Sequence, residues 1–477
     1  MAANDSATHT VFNQPPRREG VNEFSDNIPL REFAMSIGGV TDRSALAAAG
    51  AVVGSAEFQE DARLANAHPP RLRSHDRYGH RLDEVEYHPS YHRVISQAVA
   101  AGAHTAAWAQ PGPGASAARA AVFMQFAQIE PGHACPVSMT HAAVEPLKLN
   151  AELAAHWLPR LYGRGYEPRL VPAKGSALVG MAMTEKQGGS DVRANTTTAS
   201  PAGDGGYLIN GHKWFCSAPM SDAFLVLAQL PEGLSCFLVP RILPDGSRNP
   251  LLVQRLKDKL GNRANASAEV EFRNTVGFPV GEPGRGVRAI MGMVGRTRLD
   301  CVLGSAAGMR QGVAEALWHA RHRSAFGTLL VEQPVMANVL ADLALESEAA
   351  AAMAMRLARA YDDDGGPGSG AVAPGASAGL ALAGPSSDGS GPASTERAFR
   401  RLATAVSKYW VCKRGPNHAY ESLECLGGNG YTEAFPLAMR YREQPVLAVW
   451  EGTGNVIALD VLRAMAAEPE SVEAFLA

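Results

Sequence analysis

Apolar and polar positions alternate in three different rhythms along this chain. Up to about residue 175, apolar side chains recur at intervals of three and four within alanine-rich segments, which predicts helices over, for example, 94–108, 116–129 and 147–157. Pro69-Pro70, Pro111-Gly-Pro113 and Pro131-Gly132 mark the breaks between them. From about 176 to 285 the apolar runs shorten to strand length, at 177–183, 207–215, 224–230, 234–239 and 268–272. Asn210-Gly211 between two such runs is a tight-hairpin signal. Beyond Gly286 the helical spacing returns over 287–323, 335–361 and 396–426, with a shorter helix from about 455 to 466, and this predicts a bundle. The Gly/Pro/Ser/Ala tract from Asp362 to Ser394 cannot bury enough apolar surface to order itself, so it predicts a disordered loop. The expected fold class is α+β, mostly α. A helical domain (1–175) precedes a middle β domain (176–285) and a helical bundle (286–477) interrupted by the loop at 362–395.

A chain of 477 residues has room for such a division and for an ample core. Charge adds little, since 44 basic against 47 acidic residues leave a net −3 and no electrostatic reason to expect nucleic-acid binding. Arg17-Arg18, Arg400-Arg401 and Lys413-Arg414 are short, separated pairs that read as solvated faces. The six cysteines are scattered with no C-x-x-C pair, which points to buried thiols in a reducing compartment. With no basic segment leading an apolar one at the N-terminus and no long apolar span, a cytoplasmic location away from membranes is expected.

Chemistry concentrates first in Met181-Ala-Met-Thr-Glu-Lys-Gln-Gly-Gly-Ser-Asp191. An apolar run ends there in a polar turn whose paired glycines, Gly188 and Gly189, let a flat, phosphate-bearing ligand approach the main chain. The string from Met183 to Asp191 resembles the FAD-binding signature of the acyl-CoA dehydrogenase superfamily. Its spelling is similar to one branch, the AidB branch of the bacterial DNA-alkylation response. Strings in the N-terminal part resemble the same branch: His9-Thr-Val-Phe-Asn-Gln-Pro15, Arg63-Leu-Ala-Asn66 and Arg81-Leu-Asp-Glu-Val85.

The resemblance implies an FAD cofactor held by Met181, Met183, Thr184, Gly188, Gly189 and Ser190. It also implies a homotetramer that completes each FAD site across a subunit contact. Gly211-His-Lys-Trp-Phe-Cys-Ser217 resembles the second flavin segment, with Phe215 in the aromatic position, Cys216 beside it, and Ser217 as the hydroxyl that reaches flavin N5. Arg323-Ser-Ala-Phe-Gly327 is similar to the segment whose Arg323 and Phe326 reach the partner's FAD, although Pro334 stands where the family places glutamine, with Gln333 beside it. Gly427 and Gly428 match the glycines that lie against the adenine half.

Arg442-Glu-Gln-Pro-Val-Leu-Ala-Val-Trp-Glu-Gly-Thr-Gly-Asn455 resembles the segment that carries the catalytic base. The reaction needs a carboxylate there to take an α-proton while hydride leaves for the flavin. Glu451 is that base by resemblance, with Thr453 and Asn455 toward FAD. Some branches place the base on a bundle helix, a position that falls here at Thr297, which cannot serve. His319-x-x-His322 reads as two polar helix positions, and no metal site is expected.

Two functions follow from the resemblance. One is a flavoenzyme oxidising an acyl-CoA or a related small molecule. The other is a DNA-associated flavoprotein that protects DNA from alkylating agents or destroys them. The branch's DNA-facing helical region would follow Arg463, whereas this chain ends at Ala477. FAD binding with weak or no specific DNA binding is the expectation.

Overall fold

Helices begin where polar side chains meet otherwise unpaired backbone N–H groups. Asn27, Ser55 and Asn150 cap three of them in this way, accepting from Leu30, from Phe58, and from Glu152 and Leu153 respectively. The computed structural model describes residues 8–172, 174–203, 205–362 and 392–477, so most of the loop expected at 362–395 lies outside the described residues. The N-terminal part holds α1 (Ile28–Ser36), α2 (Ser44–Val53), α3 (Ala56–Ala67), the antiparallel hairpin β1 (Arg71–His75) and β2 (Arg81–Glu86), then α4 (Pro89–Ala100), α5 (Ala106–Ala109), α6 (Ala115–Ile129), α7 (Ala134–Leu147) and α8 (Ala151–Leu161). Helical periodicity did not announce the hairpin. The single helix expected over 94–108 is broken where Gly102 adopts φ +80°, and the one expected over 147–157 instead starts afresh behind the Asn150 cap.

The middle part comprises β3 (Val179–Ala182), β4 (Thr198–Pro201), β5 (Tyr207–Ser217), β6 (Ala223–Leu230), β7 (Gly233–Pro240), β8 (Leu251–Leu256) and β9 (Ser267–Val280) in one seven-stranded sheet. Its order β3-β6-β4-β5-β9-β7, with β7 pairing back to β6 and β8 to β9, curls the sheet into a barrel-like ring. Cys216, Phe224, Val226, Phe237, Val239 and Val270 fill one of its cores. The hairpin expected at Asn210-Gly211 does not form. Instead β5 runs straight through it with a shift of register against β9. A Cβ on Gly211 would stand 2.5 Å from the Thr197 hydroxyl, so the glycine serves a close strand crossing.

Helix returns with α9 (Gly286–His322), followed by the hairpin β10 (Ser324–Ala325) and β11 (Thr328–Leu329), α10 (Pro334–Arg359), α11 (Pro392–Glu424), α12 (Leu437–Val449), α13 (Gly454–Ala467) and α14 (Glu470–Leu476). The helix α12 was not expected from sequence. Gln444 inserts it between α9 and α11, because a Cβ on Gly308 would lie 1.7 Å, and one on Gly415 2.4 Å, from its amide. Those two glycines open the slot that sets the end of α12, and with it the residues that follow.

Among the contacts that tie the N-terminal part to the bundle, two meet α6. Arg119 on α6 forms a fully buried bidentate pair with Asp300 on α9. Asp362 accepts from the backbone N–H of Gly114 and of Ser116, at 2.8 and 2.7 Å, at the start of α6. Arg18, expected on a solvated face, is instead buried in a bidentate pair with Glu23. No single helix among the described residues is long and apolar enough to cross a membrane.

Candidate active site

The turn between α12 and α13 puts Glu451 at φ +62°, a left-handed conformation that a glutamate holds only when its surroundings insist on it. Two cations do so. Arg298 donates from Nε to the Glu451 carbonyl at 3.1 Å and forms an ion pair with Asp460 at 2.6 Å. Lys408, almost fully buried on α11, donates to the Gly452 carbonyl at 2.7 Å. The residue is half-buried, and its carboxyl is packed among protein atoms. Burial pushes that carboxyl up to about 7, against the opposing pull of Arg298, the neighbouring Thr297 hydroxyl and Lys408. Thr297, expected only as a position that cannot supply the base, therefore stands beside Glu451, its hydroxyl donating to the Met293 and Val294 carbonyls at 3.2 and 3.1 Å. A group ionising near neutrality in a desolvated place is suited to accept a proton.

Opposite this turn is the end of β5. The β5–β9 register shifts again between Lys213 and Cys216, and the bulge turns Trp214 and Phe215 away from the core. Phe215 is 48% exposed, while the Cys216 side chain is completely buried in the barrel core, so Cys216 can meet a ligand only through its main chain. Ser217 is half-buried, and its hydroxyl lies 3.1 Å from that of Ser267. Cys135, at the start of α7, joins the two sides. Burial raises its thiol to about 11; Lys259 and the neighbouring Ser217 and Asn265 side chains act against the rise, and Glu451 adds to it. Glu451 and Ser217 thus share one nook.

Beside Ser217 the 181–191 segment forms a cradle. Met181 and Met183 are half-buried against the core that Trp450 also touches, and the Thr184 carbonyl accepts from Trp214 N–H at 2.8 Å. Gly189 tucks against Thr184, where a Cβ would meet the hydroxyl at 2.5 Å, while Gly188 faces open space at φ +147° and Ser190 is exposed. The group that shapes this loop is Glu185, which sequence reasoning left without a role. It accepts from Thr196 N and Oγ1, Thr197 N, Gln187 and the buried Lys213 at 2.7–3.2 Å. Burial opposes its ionisation, yet Lys213 and the Thr196 N–H prevail and hold it down to about 2. Thr453 and Asn455, at the start of α13, are exposed on the Glu451 turn.

The other expected contacts are elsewhere. At about 1.5 Å per helical residue, Arg323 lies roughly 40 Å from Thr297 along α9. Phe326 is completely exposed at the tip of the β10–β11 hairpin, where it and Gly327 take φ +53° and +85°. Asn13 braces this end, accepting from Arg323 at 2.8 Å and from Ser324 N at 2.7 Å, and Gln333 donates to Ala325 O and to Thr328. Gly427 and Gly428 join the same end, their Cα positions facing open space; Gly430 must stay glycine, since a Cβ would meet the Leu423 carbonyl at 2.1 Å. The structure therefore brings Met181 to Ser190, Phe215 to Ser217, and Glu451 to Asn455 together, and leaves Arg323, Phe326, Gly427 and Gly428 at the far end.

Helical flanks around a barrel-like middle domain are the architecture of the acyl-CoA dehydrogenases, a class of flavin-dependent dehydrogenases. The N-terminal domain of the adaptive response protein AidB matches residues 13–168, the acyl-CoA dehydrogenase middle domain residues 180–275, and the acyl-CoA dehydrogenase C-terminal domain residues 284–378 and 390–466. The chain belongs to the acyl-CoA dehydrogenase family, in its AidB group, and FAD is the cofactor of that class.

It is 44% identical to the putative acyl-CoA dehydrogenase AidB of Escherichia coli K12 over 96% of this chain and 80% of that protein. It is 29% identical to acyl-CoA dehydrogenase family member 11 of Caenorhabditis elegans over 88% of this chain and 66% of that one. The crystal structure of C. elegans ACDH-11 in complex with C11-CoA superposes with TM-score 0.85 at 26% identity, covering 98% of this chain and 78% of that one.

Proposed function

We propose that the protein oxidises an acyl-CoA or a closely related thioester, with Glu451 as the base that removes the α-proton. The observation that carries this reading is Glu451 itself, held at φ +62° between α12 and α13 by Arg298 and Lys408, with its carboxyl buried near Cys135 and raised by that burial. Met181–Ser190 and Phe215–Ser217 would hold FAD, which would supply the acceptor for the hydride leaving the β-carbon. Glu451 takes the α-proton from the other side of the substrate, and its backbone N–H helps polarise the thioester carbonyl. Thr297 stands beside the carboxyl, and Arg298 and Lys408 hold the turn. A cavity of about 570 Å³ between the N-terminal and β domains is lined in part by Pro136 and Ala218, chain neighbours of Cys135 and Ser217. Its size suits a small-molecule substrate.

Residues roughly 40 Å apart on one rigid helix cannot serve one flavin in one subunit, so Arg323, Phe326, Gly427 and Gly428 complete the site of a second copy, within a homotetramer. The test is anaerobic addition of short-chain acyl-CoAs to the purified protein, followed by its visible spectrum. Bleaching in wild type and persistence of the flavin band in Glu451→Gln support the reading. A bound flavin that no acyl-CoA reduces refutes it.

A second reading, a flavoprotein of the alkylation response, is favoured by the match of residues 13–168 to an adaptive response domain. On that reading a steeply salt-dependent association with duplex DNA is expected in a titration, and its absence at low salt removes the reading.

A further inference from the structure

Lys259 lies in the connection from β8 to β9 and spends its donors inside the protein. Its ammonium reaches the Asn265 carbonyl at 2.7 Å, the Ser267 hydroxyl at 3.2 Å and the Asn262 side chain at 3.5 Å. The connection is itself fixed, since Asn262 N–H donates to Glu443 at 2.7 Å and a Cβ on Gly261 would stand 2.2 Å from the Arg442 carbonyl. Ser267 is buried and is the cross-strand partner of Ser217, with the two hydroxyl oxygens 3.1 Å apart.

An ammonium can only donate. The Ser267 oxygen accepts from it, and the Ser217 oxygen, 3.1 Å away, is the acceptor that the Ser267 proton can reach. The Ser217 proton is then left to point outward, into the nook shared with Cys135 and Glu451. Two serines on their own could pass their protons in either direction; a cation at one end of the row fixes the direction and strengthens each bond.

We propose that Lys259 is a positioning residue that acts through Ser267 to hold Ser217 as an outward hydrogen-bond donor toward the flavin. This rests on the flavoenzyme reading above, in which Ser217 faces flavin N5. A competing role is purely structural: the bonds to Asn262 and Asn265 alone would make Lys259 a loop clamp.

Two variants separate these roles. Lys259→Met removes both relay and clamp, whereas Ser267→Ala removes the relay and keeps the clamp. Each holoenzyme is titrated with inorganic sulfite, which adds to flavin N5, and its flavin midpoint potential is measured beside its melting temperature. Both variants are expected to bind sulfite roughly tenfold more weakly and to shift the midpoint negative by about 30 mV, the equivalent of a tenfold change for a two-electron couple. Ser267→Ala should do so with a melting temperature close to wild type. Wild-type sulfite affinity and potential in Ser267→Ala overturn the relay, whatever Lys259→Met does. A wild-type protein that purifies without flavin sinks the flavoenzyme reading instead, and the spectrum distinguishes that failure from the first.

Discussion

The Glu451 end and the Arg323 end of α9 differ in how much of their surroundings one chain provides. At the Glu451 end, Arg298 and Lys408 clamp the turn, Thr297 stands beside the carboxyl, and Cys135 and Ser217 close the nook from two other domains. At the Arg323 end, Asn13 and Gln333 brace the backbone, but Phe326 projects fully into solvent and the Gly427 turn is open. The groups assigned to chemistry are thus preorganised by internal packing, while those assigned to the distal parts of the cofactor are presented outward. On the proposed reading, the contrast makes proton abstraction a property of one subunit and cofactor affinity a property of the assembly.

The largest effect that could break this contrast is at the base. Glu451→Gln is expected to slow flavin reduction by acyl-CoA at least a hundredfold, at the low end of what a positioned base contributes, with the flavin still bound. Stopped-flow bleaching measures it, and near-wild-type rates would remove Glu451 from its role. Next is the packing that joins the domains behind the nook. Asp300→Asn leaves Arg119 charged and buried without its counter-ion, which is expected to cost about 3–5 kcal/mol and to lower the melting temperature clearly.

The far end should behave in the opposite way. Arg323→Ala is expected to weaken FAD binding roughly tenfold or more, as for loss of a charged hydrogen bond, while the melting temperature of the flavin-free protein barely moves. Equilibrium dialysis of FAD and thermal unfolding of the apoprotein check the pair of outcomes. A large loss of apoprotein stability would mean that this end is structural after all.

The smallest effect is a pH trend. The Glu451 carboxyl is raised from 4.5 to about 7 in the folded chain, so the folded state holds its proton more tightly than the unfolded one. Its stabilising contribution is present below the unfolded value and is lost as pH rises from there through about 7. Glu451→Gln should therefore melt higher than wild type at pH 8 and about level with it near pH 4, while acyl-CoA reduction by wild type rises with pH through about 7.

Much of the architecture was legible in the residue pattern, since buried helices and strands must repeat apolar side chains at their own periods. The long helices α9, α10 and α11 follow those periods. The exceptions have specific causes. Asn210-Gly211 has a turn's composition, but Thr197 on the neighbouring strand needs the missing Cβ, so the strand continues. Pro445 lies within α12, and the α12 sequence is stabilised by the Gln444 slot that Gly308 and Gly415 open, which no local propensity reports.

For the site, the chain alone pointed to the segments proposed to carry chemistry, the 181–191 turn, the aromatic stretch ending at Ser217 and the Glu451 turn, because the family motifs they resemble are local strings. Packing decided where each residue sits and which partners it meets. Strand register sent Cys216 into the core and, with a bulge, turned Phe215 outward. Helix packing set Thr297 beside Glu451 and Lys408 under Gly452, and the β8–β9 connection brought Lys259 to Ser267. Partners far apart in sequence are joined only when the core closes, and hydrogen-bond direction and carboxyl basicity depend on those partners; for that reason they belong to the tertiary structure.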